Sequence, residues 1–316
     1  MRFVVFGAGG VGGYLGARLA EAGEDVALIA RGEHLRALRR GGLRLRSIAG
    51  DVDVDPIEAT DDPSALGVAD VVIAATKTWQ LPEAAGSMPP LVGPHTTVLP
   101  VLNGVEAADV LAERLGSDPV VGGLCGMISF VAGPGEIHHV GAEPWVTLGE
   151  LDGAVTDRVQ RIAGALGRCR GLRADIAEDI QVALWEKFMF ITATGGVGAV
   201  TRAPMGVFRA VPETRAMLED AMREVVAVAR TRGVELARSV VDQRMAFSDG
   251  LEPHGTASMQ RDIMEGKRSE LEAWNGAVVR LGEETGVDTP VHRSIYASLL
   301  PQERRAQGAM AFPEPP

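Results

Sequence analysis

The chain has 316 residues, of which 46% are hydrophobic, and it carries a formal net charge of −11 at pH 7. That length suits about two domains, and the acidic balance argues against nucleic acid as a partner. Its two cysteines, Cys125 and Cys169, are too few for a disulfide framework or a metal cluster. No apolar run approaches the ~20 residues of a membrane span, and the first residues lack a signal-peptide pattern. We therefore expect a cytoplasmic protein with no metal, nucleic-acid or membrane partner.

The first twenty residues carry the pattern around which the rest is organised. An apolar run at 3–6 predicts a buried strand, and residues 11–19 continue at helical spacing. The loop between them matches G-x-G-x-x-G, and its residues are the predicted cofactor contacts Gly7, Ala8, Gly9, Gly10, Val11 and Gly12. In such a loop the glycines permit a tight turn, a close approach of pyrophosphate and close packing of the helix. The helix N-terminus then attracts the phosphates, so this stretch predicts a dinucleotide site.

The end of the second predicted strand, residues 25–30, indicates which dinucleotide is bound. An NAD site places Asp or Glu there, to bond the ribose 2′-hydroxyl. Here the strand ends at Ala30 and Arg31, and the next carboxylate is Glu33. An arginine can pair with a 2′-phosphate through charge-assisted hydrogen bonds, so NADP(H) is favoured. The alternative is an arginine that only faces solvent.

Two polar residues follow later strands of the predicted sheet. After a basic helix at 34–40 and short strands at 43–47 and 51–54, buried strands are predicted at 70–75 and 96–101. Lys77 and Asn103 come just after the last two, at the strand ends where open α/β sheets bind ligands. Lys77 either adds a second charge for the 2′-phosphate or is a solvated lysine at a helix start. Asn103 either holds the nicotinamide ribose or a substrate oxygen, or only forms an Asn-Gly turn.

Strands continue to residue 175, and helices follow. Further strands, expected to extend the sheet, are predicted at 120–131, 135–140 and 145–149, with a helix at 151–166 and a strand at 171–175. The later helices are predicted at 178–193, 212–232, 238–247, 269–285 and 291–304. The predicted fold class is α/β, with a Rossmann-type doubly wound sheet in residues 1–176 and an all-helical substrate domain in residues 177–316. The cleft between such domains is the default substrate site.

The helical part contains the candidate for proton transfer. Of the 31 basic residues only Lys77, Lys187 and Lys267 are lysines, and lysine, unlike arginine, can lose its proton when it is desolvated. Lys187 lies in a strongly apolar helix, so it either reaches solvent or is buried for a purpose. A partly desolvated ammonium can stabilise a developing alkoxide and act as general acid.

Four acidic or hydroxyl side chains after Lys187 are singled out by their positions. Ser258 and Asp262 are spaced four apart on one helical face, where they either line a site or bond only locally. Ser269 is a predicted helix N-cap, which puts Glu270 in the first turn of that helix. A carboxylate at that position also complements the helix dipole, so Glu270 has a structural alternative.

Together these motifs resemble the ketopantoate reductase (2-dehydropantoate 2-reductase) family over essentially the whole chain. The matching positions are 7–12, 31, 77–80, 103–104, 184–187, 257–259, 262, 270 and 275–276. The resemblance implies NADPH bound between a Rossmann domain and a helical domain, and reduction of 2-dehydropantoate to pantoate or an analogue, as in pantothenate biosynthesis. It implies that Lys187 is the general acid and Glu270 its acidic companion. It also implies that Asn103 lies by the nicotinamide and substrate, and that Ser258, near Asp262, bonds the substrate carboxylate.

The chain departs from the family at two predicted substrate positions. Pantoate-forming enzymes are expected to have asparagines four and eight residues after the lysine, where this chain has Ile191 and Gly195. Neither side chain can hydrogen-bond, and Thr192 and Thr194 point elsewhere in a regular helix. The predicted substrate is therefore a small 2-keto acid or related carbonyl compound. A non-catalytic NADPH-binding sensor and an opine-type dehydrogenase stay open as alternatives, as does a homodimer.

Overall fold

Strands and short helices alternate through the first 176 residues of the structure, a computed structural model that describes residues 1–313. The strands, β1 to β10 in chain order, are Arg2–Phe6, Asp25–Ile29, Leu43–Ser47, Val52–Val54, Glu58–Thr60, Val71–Ala74, Thr97–Pro100, Gly122–Gly133, Glu136–Gly149 and Arg173–Ile176. Helices α1 to α5 are Gly10–Glu21, Gly32–Gly41, Leu81–Ser87, Ala107–Leu115 and Asp157–Gly167. Helices α6 to α12 are Ile180–Thr201, Met205–Phe208, Pro212–Thr231, Val240–Asp249, Ser258–Met264, Ala277–Thr285 and Pro290–Ala306. The chain divides into two units, Met1–Gln181 and a second that begins at Val182.

The first unit is built on a parallel sheet with the strand order β5-β2-β1-β6-β7. Its central strands β2, β1 and β6 are buried along nearly their whole length, as expected when both faces of a parallel sheet are covered. Alternate residues of β1 face opposite layers: Val5 packs in one core with Leu15 of α1, and Val4 in the other with Leu81 of α3. The sequence predicts four of these strands. It gives no indication of β5, whose three residues (Glu-Ala-Thr) have the composition of a loop.

The strands after residue 120 form a second sheet together with β3 and β4, so the prediction that they extend the first sheet is wrong except at Val120, which makes a single parallel bridge to Val98 of β7. The order of the second sheet is β10-β9-β3-β4, with β8 paired to β9. β9 is one strand of 14 residues where two were expected. Its first half pairs with β3 and its second half with β10, so this single strand joins both neighbours. Such partner choice depends on residues far apart in the chain, which a local hydrophobic pattern does not encode.

In the second unit, a buried polar network joins three helical segments. Glu224 on α8 accepts hydrogen bonds from the backbone N–H groups of Val291 (2.7 Å) and His292 (3.0 Å) at the start of α12. The His292 ring lies 3.0 Å from the Ala221 carbonyl through Nε2 and 3.0 Å from Asn275 Nδ2 through Nδ1. It is therefore neutral, with the proton on Nε2. Complete burial lowers the pKa of His292 to about 4, which keeps the ring neutral.

The longest helix, α6, has 22 residues and is closely packed over its C-terminal half. A Cβ atom on Gly196 would lie 2.7 Å from Asn275 Nδ2, and one on Gly198 would lie 2.5 Å from Gln260 Oε1. The small residues therefore let two neighbouring segments approach the backbone of α6 directly. Neither α6 nor any other helix within residues 1–313 combines the length and the apolar character needed to cross a membrane.

Candidate active site

The glycine loop has the geometry that a dinucleotide phosphate needs. Gly7 has φ +104°, and the N–H groups of Gly7 and Ala8 donate to the Ile29 carbonyl at 3.2 and 3.0 Å, which joins the loop to the end of β2. A Cβ atom on Gly12 would lie 2.1 Å from the Gly7 carbonyl oxygen, so only glycine fits there. The position of a Cβ on Gly9, by contrast, has no other atom within 4 Å. The loop is thus tightly packed at Gly12 and leaves open space at Gly9, next to the N-terminus of α1.

A cavity of about 270 Å³ lies in front of this loop, at the carboxyl ends of β1, β2 and β6. That volume is near the lower end for small-ligand sites and suits one part of a dinucleotide. The predicted cofactor residues Gly7, Ala8, Gly9 and Arg31 line it, whereas Gly10, Val11 and Gly12 lie in the first turn of α1. His34, Thr76, Gln80 and Glu83 also line it. The cavity is therefore the candidate adenosine subsite.

Arg31 stands at the mouth of this cavity in an ion pair that the sequence does not reveal. Its Nη2 lies 2.9 Å from Glu83 Oε1, and the two side chains are 63% and 67% exposed. Glu83 is 52 residues away in the chain, so only its place in the first turn of α3, just after β6, could have indicated this contact.

His34 is a second residue of the cavity that sequence reasoning missed. Its Nδ1 accepts a hydrogen bond from the Gly135 N–H at 3.1 Å, so the ring is neutral in this arrangement. Burial lowers the pKa of His34, and the nearby Ala8 carbonyl offsets this only in part. The neutral His34 ring thus lines the cavity beside the glycine loop and is bonded to Gly135, in the turn between β8 and β9.

Lys77 and Asn103 follow β6 and β7, at the same edge of the sheet as the glycine loop. Lys77 is exposed, and its Nζ lies 5.6 Å from the centre of the Trp79 ring. Asn103 is half-buried and precedes Gly104, whose φ of +97° confirms the predicted turn. Neither lines the cavity described above. Their roles toward the cofactor and substrate stay predictions.

The helix that carries Lys187 continues without interruption to Thr201. Lys187 is half-buried, and its neighbours Trp185 and Phe188 are buried. Helical spacing puts Ile191 and Gly195 along the same side of α6. The hydroxyls of the two nearby threonines are used by the helix itself: Thr192 donates to the Phe188 carbonyl at 2.8 Å and Thr194 to the Phe190 carbonyl at 2.7 Å.

The space beside Gly195 is filled by an indole ring. A Cβ on Gly195 would lie 2.8 Å from Trp274 Cζ3, and Trp274 is 2% exposed. Trp274 belongs to a π-helix, Glu272–Gly276, in a segment where the sequence predicts one regular α-helix from 269 to 285. The Gly276 N–H donates to the Leu271 carbonyl at 3.0 Å, and this wide turn lets Trp274 and its neighbour Asn275 both contact α6. No sequence feature indicated this contact.

Glu270, Ser258 and Asp262 lie on segments that pack around the same helix. Glu270 is buried (6% exposed), and its carbonyl accepts the Trp274 N–H at 3.0 Å. Ser258 begins α10, Asp262 lies one turn later, and both are half-buried. The next residue after Ser258, Met259, approaches Gly195. The contacts with α6 are thus made by residues near the predicted ones, Met259 after Ser258 and Trp274 after Glu270, and the roles of the predicted residues stay predictions.

Ser269 lies three residues before the π-helix, whose N-cap is Leu271, so the prediction of a helix N-cap at Ser269 with Glu270 in the first turn is wrong. Its Oγ accepts the Leu271 N–H at 3.2 Å and donates to Glu303 Oε2 at 2.6 Å. The Ser269 N–H donates to the same carboxylate at 3.0 Å, and all of these groups are buried. Glu270 is therefore held at a fixed place by bonds to its neighbour.

A glycine loop on a parallel sheet, followed by a helical unit with a half-buried lysine, defines a nicotinamide-dependent oxidoreductase. Residues 3–153 match the family described as "Ketopantoate reductase PanE/ApbA", and residues 179–303 match "Ketopantoate reductase PanE/ApbA C terminal". The chain belongs to the ketopantoate reductase family, whose members act on a CH–OH or keto group. The family, the fold class and the enzyme class predicted from the sequence are confirmed.

The relatives are similar over nearly their whole length. An uncharacterized oxidoreductase of Bacillus subtilis, YkpB, is 30% identical over 303 residues, which cover 95% of this chain and 98% of the relative. A 2-dehydropantoate 2-reductase of Mesorhizobium japonicum is 31% identical, with coverage of 94% and 96%. The crystal structure of a PanE/ApbA family ketopantoate reductase from Ralstonia eutropha is 32% identical, with a TM-score of 0.88 and coverage of 97% and 100%. D-mandelate dehydrogenase with NADH and anilino(oxo)acetate, at 22% identity and a TM-score of 0.88, shares the fold.

Proposed function

We propose that this protein reduces a small 2-keto acid to the 2-hydroxy acid, with NADPH as the hydride source. The observation that carries the proposal is the half-buried Lys187 on the apolar helix α6, with the buried Glu270 in a segment packed around the same helix. Arg31 at the mouth of the cavity, with no carboxylate at the end of β2, supports NADPH. The reductase relatives support the reaction class.

The glycine loop and Arg31 would hold the reduced dinucleotide, which would supply a hydride for the carbonyl carbon, and the chain would supply the proton. The Lys187 ammonium donates a hydrogen bond to the carbonyl oxygen, and it transfers its proton as that oxygen becomes an alkoxide. The partly buried position strengthens this hydrogen bond, because the surroundings are less polar than water. Glu270 orients the ammonium, Ser258 bonds the substrate carboxylate with Asp262 nearby, and Asn103 aligns the carbonyl with the cofactor. The product is a hydroxy acid, and Lys187 regains its proton from water.

The side chain of the keto acid meets a largely apolar surface along α6. Ile191 stands where a hydroxyl-binding group would be needed, the buried indole of Trp274 fills the space beside Gly195, and the Thr192 and Thr194 hydroxyls are bonded to the helix. A hydroxyl on the substrate would lose its water without gaining a partner from α6. We therefore propose 2-keto acids with a hydrocarbon side chain as the preferred substrates, and ketopantoate as a poorer one.

A substrate panel tests this function. The full chain is mixed with NADPH and, in turn, with ketopantoate, with the analogue that lacks its hydroxyl, and with linear and aromatic 2-keto acids, and the absorbance of reduced nicotinamide is followed. We expect oxidation with several keto acids, fastest with the hydrocarbon side chains. No turnover with any carbonyl compound, with NADPH still bound, would leave the sensor alternative in its place. Turnover that requires an added amino acid would indicate an opine-type dehydrogenase.

A further inference from the structure

The cavity beside the glycine loop contains charges of both signs. Arg31 supplies a cation and Glu83 a carboxylate, while the His34 ring is neutral because its Nδ1 accepts the Gly135 N–H. The lining of the cavity is therefore close to electrically balanced, although its predicted ligand has a 2′-phosphate. Glu83 has no place in the function proposed above, and its position calls for an explanation.

Glu83 forms an exposed ion pair with Arg31. The Arg31 Nη2 to Glu83 Oε1 distance is 2.9 Å, and more than half of each side chain is exposed. Exposed ion pairs of this kind contribute little to stability, so either partner can turn to a ligand at small cost. The carboxylate reaches the cavity from the first turn of α3, whereas in an ordinary NAD site it comes from the end of the second strand.

The two nicotinamide cofactors respond to this pair in opposite ways. A 2′-phosphate is attracted by Arg31 and repelled by Glu83, and any phosphate oxygen that pairs with Arg31 must displace Glu83 or lie close to it. A ribose 2′-hydroxyl can donate a hydrogen bond to the Glu83 carboxylate. We infer that Glu83 is a specificity-determining residue of the adenosine subsite: it weakens NADPH binding, supports NADH binding, and so makes the protein accept both. This inference rests on the cofactor site of the proposed function.

Nucleotide binding to the full chain, without keto acid, tests the inference. The dissociation constants of NADPH and NADH are measured from the fluorescence of the reduced nicotinamide for the parent protein and for Glu83→Gln. We expect the variant to bind NADPH about three- to tenfold more tightly and NADH about two- to fivefold more weakly, as one screened charge allows. The gain for NADPH should shrink as salt is added, because the repulsion that is removed is electrostatic.

Glu33→Gln is the matched control. Glu33 lies two residues after Arg31 and is paired with Arg36, but it does not line the cavity. The same loss of one negative charge there should leave the NADPH to NADH ratio within about twofold of the parent, because Glu33 is paired with Arg36 and does not line the cavity.

Three results would overturn the inference: an unchanged ratio in Glu83→Gln, an equal shift in Glu33→Gln, or no binding of either nucleotide by the parent. A purely structural role for Glu83 at the start of α3 would lower the melting temperature and leave the ratio unchanged, which is the first of these results. The binding assay contains no keto acid, so it does not depend on reductase activity. If Glu83→Gln shifts the NADPH to NADH ratio but the protein reduces no keto acid, the proposed function is refuted and this inference stands.

Discussion

Lys187 is the residue on which the proposed chemistry depends, and its removal should separate binding from turnover. Lys187→Ala should lower kcat by about 10²- to 10⁴-fold, the usual contribution of a positioned general acid. The dissociation constant of NADPH should stay within about twofold, because the glycine loop and cavity belong to the other unit. Steady-state kinetics and nucleotide fluorescence measure the two quantities.

Lys267→Ala is the control for that variant. Lys267 is 66% exposed and bonded to Glu265 at 2.6 Å, so the same truncation should leave both constants unchanged. If Lys187→Ala turned over within about threefold of the parent, a range far below the effect of losing a general acid, the assigned role would be wrong.

Ile191 offers a single-residue test of the apolar substrate surface. Ile191→Asn places an amide one turn beyond Lys187, where it can bond a substrate hydroxyl. We expect kcat/KM for ketopantoate, relative to the analogue without the hydroxyl, to rise by about tenfold, in line with one new hydrogen bond. Ile191→Leu should leave that ratio unchanged. A ratio that does not respond to the asparagine would mean that the substrate side chain lies away from this face of α6.

The residues that the sequence does not predict are those whose contacts are with segments far away in the chain. The glycine loop, Arg31 and Lys187 belong to patterns that are local in sequence, and the structure places them in a strand–helix loop, at a cavity and on a helix, while their roles stay predictions. Glu83 and Trp274 became visible only through partners that are 52 and 79 residues away. Hydrophobic periodicity and short motifs do not record such pairs, so these two contacts could not be derived in advance.

At the scale of elements, the contact between α6 and the π-helix predicts an unequal response of two helical glycines. Gly195→Ala should destabilise the protein by about 1–3 kcal/mol, because the new methyl group meets the buried indole of Trp274 at 2.8 Å. Gly167→Ala, at the end of α5, has no atom within 4 Å of the new methyl group. That variant should be neutral or more stable by up to about 1 kcal/mol. Denaturant unfolding measures both, and equal effects would contradict the proposed packing.

The elements also show what pattern reasoning can and cannot recover. Helices such as α8 and α12 were placed within two residues of their ends, because caps and apolar spacing are local. The second sheet was misassigned, because its strands have the same alternating pattern as those of the first sheet and only their pairing differs. The π-helix was expected as α-helix, since the extra residue in its turn is fixed by the simultaneous packing of Trp274 and Asn275 on α6.

On the scale of the whole molecule, the chain assigns different tasks to its two units. The predicted residues for the dinucleotide lie in Met1–Gln181, and the predicted proton donor lies in the unit that begins at Val182. α6 begins at Ile180 in the first unit and carries Lys187 in the second, so one helix crosses the boundary between the two units along the chain. The buried network of Glu224, His292 and Asn275 anchors the segment after Glu270 to α6 and α8.

That network predicts how the stability of the second unit depends on pH. The pKa of His292 falls from its ordinary 6.5 to about 4 in the folded protein, so between these values the unfolded chain binds a proton that the folded chain does not. Stability is therefore complete above about pH 6.5 and is lost as the pH falls toward 4, by about 2 kcal/mol at pH 5 for this group alone. Glu224 acts in the opposite sense, because burial raises its pKa and the folded state then holds its proton more firmly.

Two measurements separate these contributions. In an NMR titration, the ring signals of His292 should stay at their neutral positions down to about pH 5, as a pKa near 4 requires; a midpoint near the ordinary histidine value would contradict the prediction. In urea unfolding, His292→Gln should lose less stability between neutral pH and pH 5 than the parent, because the substituted side chain cannot take up a proton when the chain unfolds. His95→Gln, at an exposed ring, should keep the pH dependence of the parent. A parallel pH dependence in the parent and His292→Gln would show that the acid sensitivity arises elsewhere in the chain.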